Sequence, residues 1–297
     1  MLLPDGFPGQ RLRVLPKPLV SAALQAPITD RLLVTDAGHF PHAAAHGRSR
    51  SRGAEENVVI LCTGGRGWLM LDDSTTPVHP GEVAVIPAGM PHRYWADFED
   101  PWTIWWLHAA GADAPTLITA IVGDPVSPVV AARDAFSAKA LIEHAVLALE
   151  RDETTASLYA ATGAAYNLLA QLASDRQRGA PESGDRIHLA QDYLREHLDA
   201  PTSVTELAQL AGMSVSHFSA RFKQSAGIGV VEYVKRLRSA RARELLITTE
   251  AAIGDIARAV GYGDAFYFSR QFRAVNGTSP SEYRAAFHGE ALPEPGE

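Results

Sequence analysis

The sequence of 297 residues contains a single cysteine, Cys62. One thiol makes no internal disulfide and offers no partner for a cysteine-based zinc site, which excludes disulfide scaffolds and zinc fingers and points to a reducing compartment. Long hydrophobic runs are missing as well. No stretch approaches the roughly 18 consecutive apolar residues that a membrane span needs. The opening MLLPDGFPGQRLRV carries neither a basic cluster nor an apolar run, so neither membrane insertion nor secretion is expected and the cytoplasm is the expected location. A basic excess over the whole chain is also absent, with 27 Lys and Arg against 34 Asp and Glu. What is present is an ordinary globular composition, 46% apolar and 21% charged, long enough for two cores of moderate size.

The acidic total hides an asymmetry. Residues 186–288 hold 13 Lys and Arg against 10 Asp and Glu, whereas the remainder holds 14 against 24. A mildly basic segment on an acidic protein suits nucleic-acid binding by that segment alone. Along the chain, residues 1 to about 35 are Pro-rich (Pro4, Pro8, Pro16, Pro18, Pro27), which predicts an extended arm. Short apolar runs then alternate with turn residues. Val58–Leu61, Trp68–Leu71, Val83–Ile86 and Thr103–Leu107 read as strands of a small β-barrel or sandwich. After Pro128 the strand signals stop. Helical spacing takes over at about 136–151, with Leu141, His144, Ala145 and Ala148 on one face, and at 155–178, with Tyr159, Tyr166, Leu169 and Leu172 on one face. Such helices pack on the barrel or on a second copy of the chain. The polar stretch 179–185, rich in Gly and Pro, divides an N-terminal region 1–178 from a C-terminal region 186–288.

Comparing the last third with itself reveals a repeat of about 50 residues. Leu207-Ala208 through Gly212 matches Ile256-Ala257 through Gly261; Phe218-Ser219, Phe222 and Gly227 match Phe268-Ser269, Phe272 and Gly277; Glu232-Tyr233 recurs as Glu282-Tyr283. Each copy reads as helix, Gly-containing turn, helix. Ser203 with Glu206 forms a capping box, Ser214 can cap the second helix of the first copy, and Asp264 can cap its counterpart. A basic helix, 231–246, with Lys235, Arg236, Arg238, Arg241 and Arg243, joins the two. Two helices joined by a short turn form the helix-turn-helix, whose second helix enters the DNA major groove.

With Gly212-Met213-Ser214, Ser216-His217-Phe218-Ser219, Val260-Gly261-Tyr262, Tyr267-Phe268-Ser269-Arg270, Phe272-Arg273, Ser279-Pro280 and Tyr283-Arg284 in register, this segment resembles the AraC/XylS family of bacterial transcription regulators. The resemblance implies DNA contacts from Ser214, Ser216, His217, Ser219, Arg221 and Lys223 in the first copy and from Asp264, Phe266, Ser269, Arg270 and Arg273 in the second, with Phe222 and Phe272 in the core. The chain departs from the family by carrying Ala220 where Arg is frequent. Arg221 follows it, turned by about 100° around the helix.

The segment from Gly81 through Pro87 and Gly89 to His92 resembles the second motif of the cupin barrel, while the first motif, His-x-His followed by Glu, is absent. His39, His42 and His46 are spaced unlike it. A cupin metalloenzyme needs three or four convergent ligands, so a binding barrel with no metal, no cofactor and no catalytic residue is expected. The run from Arg50 to Gly111 resembles the effector domain of the sugar-responsive members, and all five Trp fall within it. Indole faces stack on sugar rings. By strand alternation His92 and Tyr94 share a face, as do Ile104, Trp106 and His108, with Trp105 opposite. On carry-over the effector residues are Arg50, Tyr94 and Trp106, with His92 close by and Arg52 as the alternative to Arg50. The fold expected is therefore multidomain α+β: a cupin-like barrel with dimerisation helices, then an all-α domain with two helix-turn-helix units. The partners expected are double-stranded DNA, a saccharide effector, a second copy of the chain and RNA polymerase. Alternatives are a non-sugar effector, or a cupin enzyme with an accessory DNA-binding domain.

Overall fold

The computed structural model describes residues 5–123, 126–178 and 183–288. Among the described residues, ten strands lie in the N-terminal region: β1 (Arg11–Val14), β2 (Leu33–Phe40), β3 (Gly47–Arg50), β4 (Asn57–Gly64), β5 (Gly67–Leu71), β6 (Ser74–Val78), β7 (Glu82–Ile86), β8 (His92–Ala96), β9 (Thr103–Ala110) and β10 (Val129–Ala131). Helices α1 (Lys17–Ala23), α2 (Ala114–Val122), α3 (Ala135–Arg151) and α4 (Thr155–Arg178) accompany them. The remainder is helical, with α5 (Ser183–Glu196), α6 (Val204–Leu210), α7 (Val215–Ala226), α8 (Val230–Thr248), α9 (Ile253–Ala259), α10 (Ala265–Asn276) and α11 (Pro280–His288). Two compact units result, Met1–Arg186 with Glu206–Ser214, and Ile187–Thr205 with Val215–Glu297.

The strands form a six-stranded sheet in the order β1-β2-β9-β4-β7-β10 and a four-stranded sheet in the order β3-β8-β5-β6. One apolar cluster joins them, with Phe40, Val58, Ile60 and Ile86 from the first and Leu69, Leu71, Tyr94 and Ala96 from the second. Strand β4 is buried along all eight residues. It reads as a continuous apolar run because both its faces are covered, by the opposite sheet on one side and by helices on the other. Helix α3 packs on β1, β2 and β9, and α4 packs on α3, α2 and β2.

Four expectations are corrected. The Pro-rich arm is not extended throughout: β1 pairs with β2, and Lys17–Ala23 is helical because Pro18 falls in the first turn, where the missing N–H costs no intrahelical bond. Strand pairing continues past Pro128, since β10 adds to β7. On α3, Ala145 and Ala148 are buried as expected, but His144 is exposed and Ile142, Val146 and Leu149 complete the buried face. On α4 the buried stripe runs through Leu158, Ala161, Ala165, Leu168, Leu169 and Leu172, leaving Tyr159 and Tyr166 outside with their hydroxyls bonded to Pro27 O and Asp113. Small alanines let the helix approach its neighbours closely, which moves the packed face away from the tyrosines. Of the stretch 179–185, residues 183–185 open α5 and 179–182 lie outside the described residues.

In the helical part the repeat recurs in three dimensions. The Phe218 and Phe222 rings are 5.7 Å apart and Phe222 meets Tyr233 edge-on at 5.3 Å; Phe268 and Phe272 are 5.8 Å apart and Phe272 meets Tyr283 edge-on at 5.6 Å. Gly227 and Gly277 end α7 and α10 at φ of 76° and 80°, the left-handed region that a side chain resists.

Candidate effector cavity and nucleic-acid interface

A cavity of about 260 Å³ opens between the two sheets. Strands β2 and β9 contribute Asp36, Phe40, Ile104, Trp106 and His108 to one wall; β3 and β8 contribute Arg48, Arg50 and Tyr94 to the other. Leu12 and Val14 of β1, and Asp5 before it, also line the cavity. Three of the four residues expected to meet an effector, Arg50, Tyr94 and Trp106, therefore converge. Arg52 lies exposed beyond β3 and takes no part.

Trp106 is 8% exposed, and its Nε1 is buried without a hydrogen-bond partner. The indole fits because Gly38 faces it from β2: a Cβ on Gly38 would stand 2.8 Å from Trp106 Cζ2. Trp105 points the other way. It stacks on His39 at 4.2 Å and receives Arg11 and Lys139 over its ring, on the side covered by α3.

His92 stands behind the cavity wall. Its Nδ1 lies 2.8 Å from Met90 O, and because a carbonyl only accepts, Nδ1 carries the proton and Nε2 accepts from Arg50 Nη1 at 3.4 Å. The ring also stacks on Tyr94, at 5.9 Å with 8° between planes. It thus ties its loop and steadies Arg50 and Tyr94. Burial, the largest cause, lowers the His92 pKa, and burial raises that of Tyr94. His46, also on the cavity, accepts from Trp102 Nε1 at 3.2 Å and is pushed down to about 3 by burial and by Arg48.

Sequence reasoning missed Asp36, His46 and Arg48 as lining residues, and put His108 on the face of Trp106 without giving it to the effector. Asp36 Oδ2 lies 2.8 Å from His108 Nδ1. A ligand-donor atom of Asp36, one of His108 and one of Glu56 all lie within 4.8 Å of one another. These residues are far apart in sequence and match no spacing pattern, so only the pairing of β2, β9 and β4 reveals them.

On the helical side, Phe218, Phe222, Phe268 and Phe272 are buried as expected. The opposite faces of α7 and α10 display the candidate DNA contacts: Ser216, His217, Arg221 and Lys223 on one, Phe266, Arg270 and Arg273 on the other, all exposed. Ser214 is exposed just before α7. Ser219 and Ser269 are half-buried, and the Ser269 hydroxyl donates to Ala265 O. Asp264 caps α10 by accepting from Tyr267 N at 2.5 Å. The guanidinium of Arg270 lies over Tyr267, an exposed ring that sequence reasoning left out of the contact set. The basic helix proves largely structural: Arg238 donates to Leu198 O and Ala200 O and stacks on Tyr262, Arg243 donates to Asn276, and Arg236 and Arg241 pair with Glu232 and Glu244.

A cavity-bearing β-domain joined to paired helix-turn-helix units defines a DNA-binding regulator with a ligand-binding domain. Residues 37–172 match the AraC-like ligand binding domain and residues 207–286 match a helix-turn-helix domain. The MmsAB operon regulatory protein of Pseudomonas aeruginosa is 31% identical over 290 residues, covering 94% of this chain and 91% of its own length. The arabinose operon regulatory protein of Escherichia coli is 38% identical over 127 residues, 41% of this chain and 44% of its own. The lactose operon transcription activator of Staphylococcus xylosus is 26% identical over 243 residues, 78% and 85% of the two chains. The chain belongs to the AraC family of DNA-binding transcription regulators.

Proposed function

We propose that the protein regulates an operon in response to a saccharide held between its two sheets. The observation that carries this reading is the convergence of Trp106, Arg50 and Tyr94 on one cavity. A sugar offers apolar C–H faces to an indole and hydroxyls to charged donors and acceptors, and this cavity has both kinds of wall. Relatives named for arabinose and lactose operons support the same class. An acidic effector is the second reading, favoured by two guanidinium groups, Arg48 and Arg50, on one wall.

In this reading residues 1–178 form the arm, effector and dimerisation domain, 179–185 the linker, and 186–288 the DNA-binding domain. Ser214, Ser216, His217, Ser219, Arg221, Lys223, Asp264, Phe266, Ser269, Arg270 and Arg273 form its DNA face. The protein acts in the cytoplasm as a homodimer on double-stranded DNA, with RNA polymerase as a further partner and no enzymatic step. Effector binding shifts the arm and helices between two states, by no more than its difference in affinity for them. A thermal-shift screen of the full chain against mono- and oligosaccharides tests the reading. A sugar at 100 times its dissociation constant stabilises by about 2.7 kcal/mol. Stabilisation by sugar acids alone would favour the second reading, and by neither class would remove the saccharide assignment.

A further inference from the structure

We propose that Asp36, Glu56 and His108 form a binding site for a divalent metal ion, Zn2+ or Mn2+, on the β2-β9-β4 wall. The proposal stands on sheet geometry and does not depend on which effector fills the cavity. Strands β2 and β9 and the bend that opens β4 bring the donors together. Asp36 and His108 are direct cross-strand partners between β2 and β9. Val58 is the cross-strand partner of His108 on β4, and Glu56 lies two residues earlier, in the bend that leads into that strand, with a carboxylate oxygen within 4.8 Å of the Asp36 and His108 donor atoms. Convergence is therefore built by backbone register, with His108 on the central strand of the three.

A local irregularity supplies a second observation. The β2-β9 register shifts between Val34 and Asp36. Such a bulge re-aims the following side chain, and here it sets Asp36 Oδ2 2.8 Å from the His108 ring. Without it Asp36 would have pointed to the face covered by α3 and α4. The third observation is Glu56 itself. It is half-buried, and its carboxylate makes no hydrogen bond or ion pair among the described residues. A carboxylate in that setting beside a second carboxylate is short of positive charge.

Two carboxylates and one imidazole form a hard-to-borderline donor set that suits Zn2+ or Mn2+ better than a thiophilic ion. Each of the three donors has a ligand atom within 4.8 Å of the others. Donors sharing one zinc ion sit up to about 4 Å apart, given metal–ligand distances of about 2.0–2.2 Å, so a small side-chain rotation closes the set. Three protein ligands leave at least one coordination position open. Asp36 and His108 line the cavity, so that position is filled from the cavity side, by water or by a hydroxyl or carboxylate oxygen of the effector.

The test uses the full chain, stripped with a chelator and freed of it, titrated with ZnCl2 and separately with MnCl2 by calorimetry and thermal shift. The expected result is one equivalent of bound ion with a rise in melting temperature. Glu56→Gln should weaken binding at least about 100-fold, as expected when a direct ligand is lost. That variant keeps the Asp36–His108 bond, so its metal-free melting temperature should match wild type. His144→Ala, which removes an exposed imidazole on α3, should bind as wild type does. Absence of binding to either ion, or binding undiminished in Glu56→Gln, would overturn the proposal.

Discussion

Trp105 and Trp106 are neighbours with opposite tasks, one bracing α3 and the other facing the cavity. Trp106→Ala should abolish the thermal shift given by a stabilising sugar, whereas Trp105→Ala should lower the melting temperature and leave the shift in place. The reverse pattern would move the binding face to the other side of β9. Two imidazoles, His46 buried and His39 half-buried, add a pH dependence. His46 is held down at about 3 and His39 at about 4, both mainly by burial, from an ordinary value of 6.5. The unfolded chain therefore takes up these protons first, so stability falls as the pH drops from about 6.5 towards 4, by up to about 1.4 kcal/mol per unit for each ring. Denaturant midpoints that stay flat across that window would show that the rings are solvated. The tryptophan pair was legible because period-two alternation holds along a regular central strand. Asp36 was not, since the bulge before it breaks the period, and Arg48 was hidden in β3, a short strand with no apolar run.

Among the elements, α10 sets an exposed face with Arg270, proposed to meet DNA, against a buried one with Phe272. Arg270→Ala should cost roughly 1–3 kcal/mol of specific DNA binding per lost base contact with no change in melting temperature. Phe272→Ala should instead cost about 3–5 kcal/mol of stability. Equal melting losses in the two variants, compared by calorimetry, would make Arg270 structural. The Asp264 cap is a third handle: Asp264→Ala should destabilise by about 1 kcal/mol, with Asp264→Asn largely restoring the loss, because either side chain accepts the Tyr267 N–H. If Asn fails to restore it, the carboxylate charge rather than the cap is what matters. The paired helix-turn-helix units were legible because a repeat shows itself twice, down to the matching Phe-Phe-Tyr ladders. The faces of α3 and α4 were less so, since alanine carries little hydrophobic signal yet permits the closest packing. The basic composition of the joining helix α8 was legible too, but composition records charge and not the carbonyls and carboxylates that Arg236, Arg238 and Arg241 engage.

For the whole molecule, the proposed function links effector binding in the cavity to DNA binding by the same chain. The most direct measurement is the affinity and footprint of the full-length protein on its operator DNA, titrated with the sugar that stabilises it, for wild type and Trp106→Ala side by side. The sugar is expected to change the wild-type affinity or footprint and to leave Trp106→Ala unmoved, while the two proteins bind DNA alike without sugar. A sugar response that survives in Trp106→Ala, or sugar-free DNA binding lost with that substitution, would contradict the proposed function.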